Sequence, residues 1–358
     1  MNNNKRIVRG KTCCVVARCD GLLCTQDKGD EKPDARATLS LDGIAYPVAK
    51  TRSMPSPLSS VRLLLTRCLL PFALVSGVWA APLAPAKKAP APMAQPMAVA
   101  APGPVCDTLL HRLPNVSRAL CLAAGLQAGA GRSVQGVPLY WRDIEPEGAK
   151  LRVLVMGGIH GDELSSGSLA LHWIAMAQQP TQMPQPVHWR FIPVLNPDGV
   201  MAQPPRRVNA NGVDLNRNFP TPNWERDAAV YWEQRTRKDP RRWPGRRPLS
   251  EPETRYLHEQ MQSFKPHLIV AIHAPYGVLD FDGPTVPPSK LGRLYLDQVG
   301  IFPGSLGNYG GVHKGVPVVT IELPNAMRTP LDAEMRQMWL DLLRWMSEKA
   351  VGGLGTGR

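Results

Sequence analysis

Cysteine is scarce over most of this chain. Of seven cysteines in 358 residues, five (Cys13, Cys14, Cys19, Cys24 and Cys68) precede position 81, which leaves only Cys106 and Cys121 for everything after it. Two sulfurs cannot build a four-thiolate zinc cluster, and the spacing of the first four matches no standard zinc knuckle. Long apolar runs are also lacking. The run from Cys68 to Trp79 is 12 residues, too short to cross a bilayer as a helix. Aromatic residues are few, at 6%, and there is no internal repeat. The formal net charge of +13 is less than it seems, because residues 1–81 hold 12 Lys/Arg against 6 Asp/Glu. The remainder is moderately basic, which suits small anionic ligands and argues against a nucleic-acid groove.

The first part of the chain reads as targeting sequence. Met54 opens a segment in which Arg62 and Arg67 precede the apolar run, and Val78-Trp79-Ala80 then offers small residues at the two cleavage-reading positions. That is the grammar of a secretory signal peptide over 54–80, with export to the periplasm or medium and no stable membrane span after cleavage. Residues 1–53 then have no place, and the expectation is that they are untranslated or disordered. Residues 81–105 are an Ala/Pro-rich linker, 106–350 the globular domain, and 351–358 a glycine-rich tail. An even cysteine pair in an exported chain suggests a Cys106–Cys121 disulfide within a short helical hairpin, with two buried thiols as the alternative.

Near-continuous Val, Ile and Leu at Leu151–Met156, Trp189–Val194, Leu268–Ile272 and Val316–Ile321 predict strands covered on both faces. Helical patterns at Ser165–Gln178, Glu251–Phe264 and Leu331–Lys349 lie between them, the second with Ser250 as its expected N-cap and Glu253 at the capping-box position. Alternation of this kind predicts a three-layer αβα domain around a mixed, largely parallel sheet.

Polar residues cluster where these strands end. The first strand runs into Gly157-Gly158-Ile159-His160-Gly161-Asp162-Glu163, so an imidazole and a carboxylate three apart can point the same way. His273 follows the strand Leu268–Ile272 and can complete a three-ligand set of the kind catalytic zinc takes. Asp214, Asn216, Arg217 and Asn218 fall within five residues in a segment too polar for a core, and Arg217 can fork two donors onto a carboxylate. Glu322 ends another strand, placed to take a proton from an activated water.

His160-Gly-Asp-Glu163, Asn196-Pro-Asp-Gly199, Gly212-Val-Asp-Leu-Asn-Arg-Asn-Phe219, Ser250-Glu-Pro-Glu-Thr254, His273 and Glu322 together resemble the motif series of the zinc carboxypeptidase family. The likeness runs from about Gly131 to the C-terminal helix. The Asp-Leu-Asn-Arg-Asn-Phe wording and Gly304-Ser-Leu-Gly307 are most similar to its bacterial murein peptide amidase branch.

The resemblance implies one Zn2+ per chain on His160, Glu163 and His273, with Asp214 bonded to His160. It implies that Arg207, or its neighbour Arg206, steadies the developing oxyanion. Asn216 and Arg217 would hold the substrate's terminal carboxylate, and Glu322 would act as general base and then general acid. The family's mobile tyrosine precedes the glutamate by more positions than Tyr309 does; Tyr309, thirteen positions before Glu322, is the nearest preceding tyrosine and the candidate for substrate contact. The implied substrate is a short anionic peptide, from peptidoglycan, cut at a γ-D-glutamyl–diaminopimelate-type amide. The alternatives are a protein or peptide carboxypeptidase, an N-acyl amino acid deacylase, or a non-catalytic peptidoglycan-binding module. Asp162 reads as a turn-stabilising residue. The basic run Arg235–Arg247 reads as a solvated loop at the cleft mouth that draws in anions.

Overall fold

A computed structural model describes residues 103–180 and 186–350, with the side chains of 349 and 350 left aside. The expectations for 1–53, the signal peptide 54–80, the linker up to residue 102 and the tail 351–358 fall outside these residues. The chain enters through helices α1 (Gly103–Leu110) and α2 (Arg118–Ala124), which form the expected hairpin and carry a Cys106–Cys121 disulfide. Gly103–Val105, read above as the end of the linker, are already the first turn of α1. Ser117 caps α2 through its side chain, and Gly125 ends it in the left-handed region.

Strands β1 (Gln127–Arg132), β2 (Pro138–Ile144) and β3 (Leu151–Met156) follow, then α3 (Leu164–Ala177), β4 (Val187–Ile192), α4 (Pro197–Met201) and α5 (Trp224–Val230). The second half holds α6 (Pro252–Phe264), β5 (Leu268–His273), β6 (Val278–Asp282), the short pair β7 (Lys290–Leu291) and β8 (Leu294–Tyr295), then β9 (Val318–Glu322) and α7 (Asp332–Trp345). Seven strands make one sheet in the order β1-β2-β4-β3-β5-β9-β6. The central β4, β3, β5 and β9 run parallel, while β1, β2 and β6 add antiparallel margins.

Side-chain alternation splits each central strand between two cores. Val153, Val155, Val270, Ile272, Val319 and Ile321 pack beneath α3 and α7, whereas Leu154, Met156, Ile269, Ala271 and Val318 pack beneath α6. This makes the expected three layers. Trp339 of α7 lies between Trp173 and Trp189, with ring centroids 5.3 and 4.7 Å away, so truncating it to alanine would cost about 3–5 kcal/mol.

One local expectation fails. Ser250 does not cap α6. Glu251 holds the cap position without a side-chain bond, and the Ser250 hydroxyl donates to the Glu251 carboxylate instead. Glu253 is drawn away from any capping box by Val134 N–H at 3.0 Å and the Asn209 amide at 3.0 Å. Buried donors from a distant loop outcompete the local cap. Among the described residues no helix is long and apolar enough to cross a membrane.

Candidate metal centre

The turn after β3 is built on glycine. A Cβ on Gly161 would overlap the backbone of Gly199, so the turn can press against α4 only without side chains there. Asn196 caps α4 by accepting from Gly199 N–H at 2.9 Å. Asp198 accepts from the Ser133 hydroxyl at 2.6 Å and Gln135 N–H at 3.0 Å. The Asn196–Gly199 motif is therefore scaffolding that locks the lead-in loop to the site.

Against that scaffold, His160, Glu163 and His273 converge, with one donor atom of each within 4.8 Å of the others and all three residues buried. His160 Nε2 donates to Asp214 Oδ1 at 3.1 Å, which leaves Nδ1 as a bare lone pair in the neutral ring. That Nδ1 faces Glu163 Oε1 at 2.8 Å and His273 Nδ1 at 3.2 Å, and His273 Nδ1 lies 3.1 Å from Glu163 Oε2. Lone pairs brought this close need a proton or a metal cation between them. Two imidazole nitrogens and one carboxylate are a donor set that suits zinc.

The charges respond to this crowding. Burial alone would raise Glu163, but His160 and His273 override it and hold the carboxyl far below its ordinary value. Asp214 is fully buried; burial opposes its ionisation, yet Arg207 and His160 keep it well below the usual range. Burial and Arg207 work to lower His160, and Glu163 and Asp214 together leave it raised. Arg207 is the member of its adjacent pair that reaches the site. Its Nε donates to Asp214 at 3.1 Å and its Nη1 to Glu163 at 3.3 Å, while Arg206 is exposed.

His160, Glu163, His273 and Arg207 line a cavity of about 720 Å³ together with Asn216, Arg217 and Glu322. Glu322 sits in register with His273 on the neighbouring parallel strand. It is 7% exposed and its Oε2 has no hydrogen-bond partner among the described residues. Burial pushes its carboxyl up. Arg217 is buried and forms no ion pair among the described residues; it donates to the Asn216 carbonyl at 2.7 Å and lies 4.4 Å from the Phe302 ring centroid. Burial accordingly lowers its pKa.

Tyr309 is the misplaced candidate. The turn Gly307–His313 winds it inward, where it is 4% exposed and stacked on Phe219 at 5.8 Å, away from the cavity. Tyr231 and Tyr276 line the cavity instead, as do Asp280 and Asp282 from β6. The basic run does reach the mouth: Arg235 and Arg242 line it, and Arg241 pairs with Asp162 at 2.7 Å, which accounts for Asp162 as a turn anchor. Only the alternation in Val278–Asp282, which sets both aspartates on one face, could have flagged that wall.

A zinc carboxypeptidase family model matches residues 127–280. Murein peptide amidase A of Escherichia coli strain K12 is 31% identical over 231 residues, covering 62% of this chain and 90% of that protein. Murein peptide amidase A of Vibrio campbellii is 31% identical over 230 residues, covering 62% of this chain and 86% of it. The solved structure of thrombin activatable fibrinolysis inhibitor shares the fold at a TM-score of 0.52 and 17% identity, over 67% of this chain and 72% of that one.

Proposed function

The chain belongs to the zinc carboxypeptidase family, and from that premise we propose that it is a zinc-dependent hydrolase cutting an amide bond in short anionic peptides from peptidoglycan, of the γ-D-glutamyl–diaminopimelate type. One observation carries the reading: a buried guanidinium without a carboxylate partner, Arg217, shares a cavity with the His160–Glu163–His273 set and with Glu322, whose Oε2 has no hydrogen-bond partner among the described residues. A desolvated, unpaired cation is costly unless a ligand carboxylate completes it.

Zinc held by His160, Glu163 and His273 would supply the Lewis acidity that activates water and the scissile carbonyl. The protein's own groups do the remainder. Asp214 fixes the His160 tautomer, so that Nδ1 stays available. Glu322, whose raised pKa suits proton exchange, takes a proton from the attacking water and delivers it to the departing amine. Arg207, held in place by Asp214 and Glu163, directs a guanidinium toward the developing oxyanion. Asn216 and Arg217 orient the substrate by its terminal carboxylate.

The murein assignment is supported by the two murein peptide amidases at 31% identity, and by Arg235 and Arg242 at the mouth, which favour a multiply anionic peptide. Export is supported by the signal-like segment 54–80 and by the Cys106–Cys121 disulfide, which suits an oxidising compartment. Incubating the zinc-loaded protein with defined muropeptides, and reading products by mass, tests the reading. Release of a diamino-acid-containing product supports it. Cleavage only of C-terminal protein residues or of N-acyl amino acids would move the enzyme to one of the alternative reactions.

A further inference from the structure

Between β8 and β9 the chain makes a short turn, Phe302-Pro-Gly-Ser-Leu306. Three donors close it on the Phe302 carbonyl: Ser305 N–H at 3.1 Å, the Ser305 hydroxyl at 3.0 Å and the Asn308 amide at 3.0 Å. Gly304 takes a φ of 73°, donates to the Thr221 hydroxyl at 3.0 Å and accepts from Phe219 N–H at 3.0 Å. A Cβ on Gly304 would overlap the Arg217 carbonyl, which Trp224 Nε1 already bonds at 2.8 Å. Glycine there lets the turn lie flat against the stretch that carries Asn216 and Arg217.

The turn orients both of those side chains. Leu306 N–H donates to Asn216 Oδ1 at 2.8 Å, so the amide has its Nδ2 donors left to offer the cavity. The Arg217 guanidinium lies 4.4 Å from the ring centroid of Phe302 and 5.9 Å from that of Tyr231. Those two rings stand 5.6 Å apart at 60°, and both line the cavity. Nη1 of Arg217 is spent on the Asn216 carbonyl, whereas Nε is buried without a partner among the described residues. Asp214 acts on this cation electrostatically but already accepts from His160 and Arg207. A ring face offsets part of the cost of burying a guanidinium without neutralising its charge. The contact with Phe302 therefore holds the group in place and leaves a carboxylate still to be bound.

We propose that Phe302 is a positioning residue for substrate binding: it fixes the Arg217 guanidinium so that Arg217, together with the Asn216 amide set by Leu306, meets the substrate's terminal carboxylate as one preformed receptor. The inference rests on the reading of Arg217 as that receptor. Phe302 acts through Arg217 rather than on the reacting bond. Without the ring the long side chain is freer, and binding then has to order it.

L-lysine and L-lysinamide share a side chain and differ at the carboxylate. Titrated calorimetrically into the zinc-loaded full-length protein, lysine is expected to bind the wild type roughly 10- to 100-fold tighter. Phe302→Leu keeps an apolar side chain and loses the ring, and it should cut that ratio about 3- to 10-fold. Phe302→Tyr restores the ring and should hold the ratio within about twofold of the wild type. Thermal transitions establish that each variant is folded, and Phe302→Met replaces Phe302→Leu if the latter does not fold. A role in packing alone would lower the transition temperature and leave the ratio as it was. An unchanged ratio in the ringless variant, or an equal loss in Phe302→Tyr, overturns the inference and leaves the Arg217 reading standing. A wild type that binds the two ligands equally, or binds neither, overturns the Arg217 reading and this inference with it.

Discussion

His273 and Glu322 stand directly opposite one another on adjacent parallel strands, both at the C-terminal edge of the sheet. Sheet register therefore sets the distance between a metal-ligand candidate and the proton-shuttle candidate, so neither depends on a loop for its position. Because Glu322 is not among the converging ligand set, Glu322→Gln should keep zinc affinity and lower kcat by about 100-fold or more. Steady-state kinetics beside a zinc titration checks this; loss of metal together with activity would assign Glu322 to the ligand shell.

Arg217 offers a cleaner test of substrate orientation. A buried guanidinium without a protein carboxylate should make the enzyme sensitive to the charge of the substrate's terminus. Capping that terminus as an amide should reduce wild-type kcat/KM roughly 10- to 100-fold. Arg217→Ala should already show that loss with the free acid, and amidation should add little. Independent, multiplicative losses would mean that the carboxylate binds elsewhere.

The ligand set makes stability depend on pH in opposite ways with and without metal. Glu163 and Asp214 are held below their ordinary values of 4.5 and 3.8, so their contribution is present above those values and is lost as pH falls further. His160 is raised above 6.5, so its contribution is complete below 6.5 and fades as pH climbs through the raised value. Metal-free protein should accordingly be most stable between about pH 4.5 and 6.5. Zinc competes with those protons, so the stabilisation it adds should grow as pH rises. Thermal melts across pH, with chelator and with zinc, check both trends. A zinc effect that shrinks from pH 6 to 8 would contradict them.

The disulfide closes a loop of 15 residues between α1 and α2. On loop entropy, replacing both cysteines by alanine should cost about 3 kcal/mol, or roughly 6–12 °C in Tm for a domain of this size. The hairpin packs on α3 rather than on the cavity, and Cys106 and Cys121 belong to the core beneath α3 and α7. Turnover by the folded variant should be little changed.

Much of the domain was legible in the sequence, and the failures have causes. Strands β3 and β5 and helix α3 came out within a residue or two, because strands buried on both faces must be continuously apolar and helices between them must bury a stripe. The marginal strands escaped. β1 is Gln127-Ala-Gly-Ala-Gly-Arg132, whose small residues carry no β signal, and Gly131 is small because the Tyr256 ring lies against it. β6 alternates, but its polar face looks into the cavity rather than into solvent, and alternation alone does not tell a cavity-facing Asp280 or Asp282 from a solvent-facing one. Metal-ligand candidates could be picked out because each ends a strand or a glycine turn. Tyr309 could not be placed, because nothing local says that Gly307–His313 winds inward against Phe219.

Three side chains, His160, Glu163 and His273, are expected to share one ion. Zinc titrated calorimetrically into chelator-treated protein should bind at one site per chain, and His273→Ala, with His160 and Glu163 untouched, should weaken it by about 100-fold or more. Undiminished zinc affinity in His273→Ala, or no stoichiometric zinc in the wild type, would contradict the assignment.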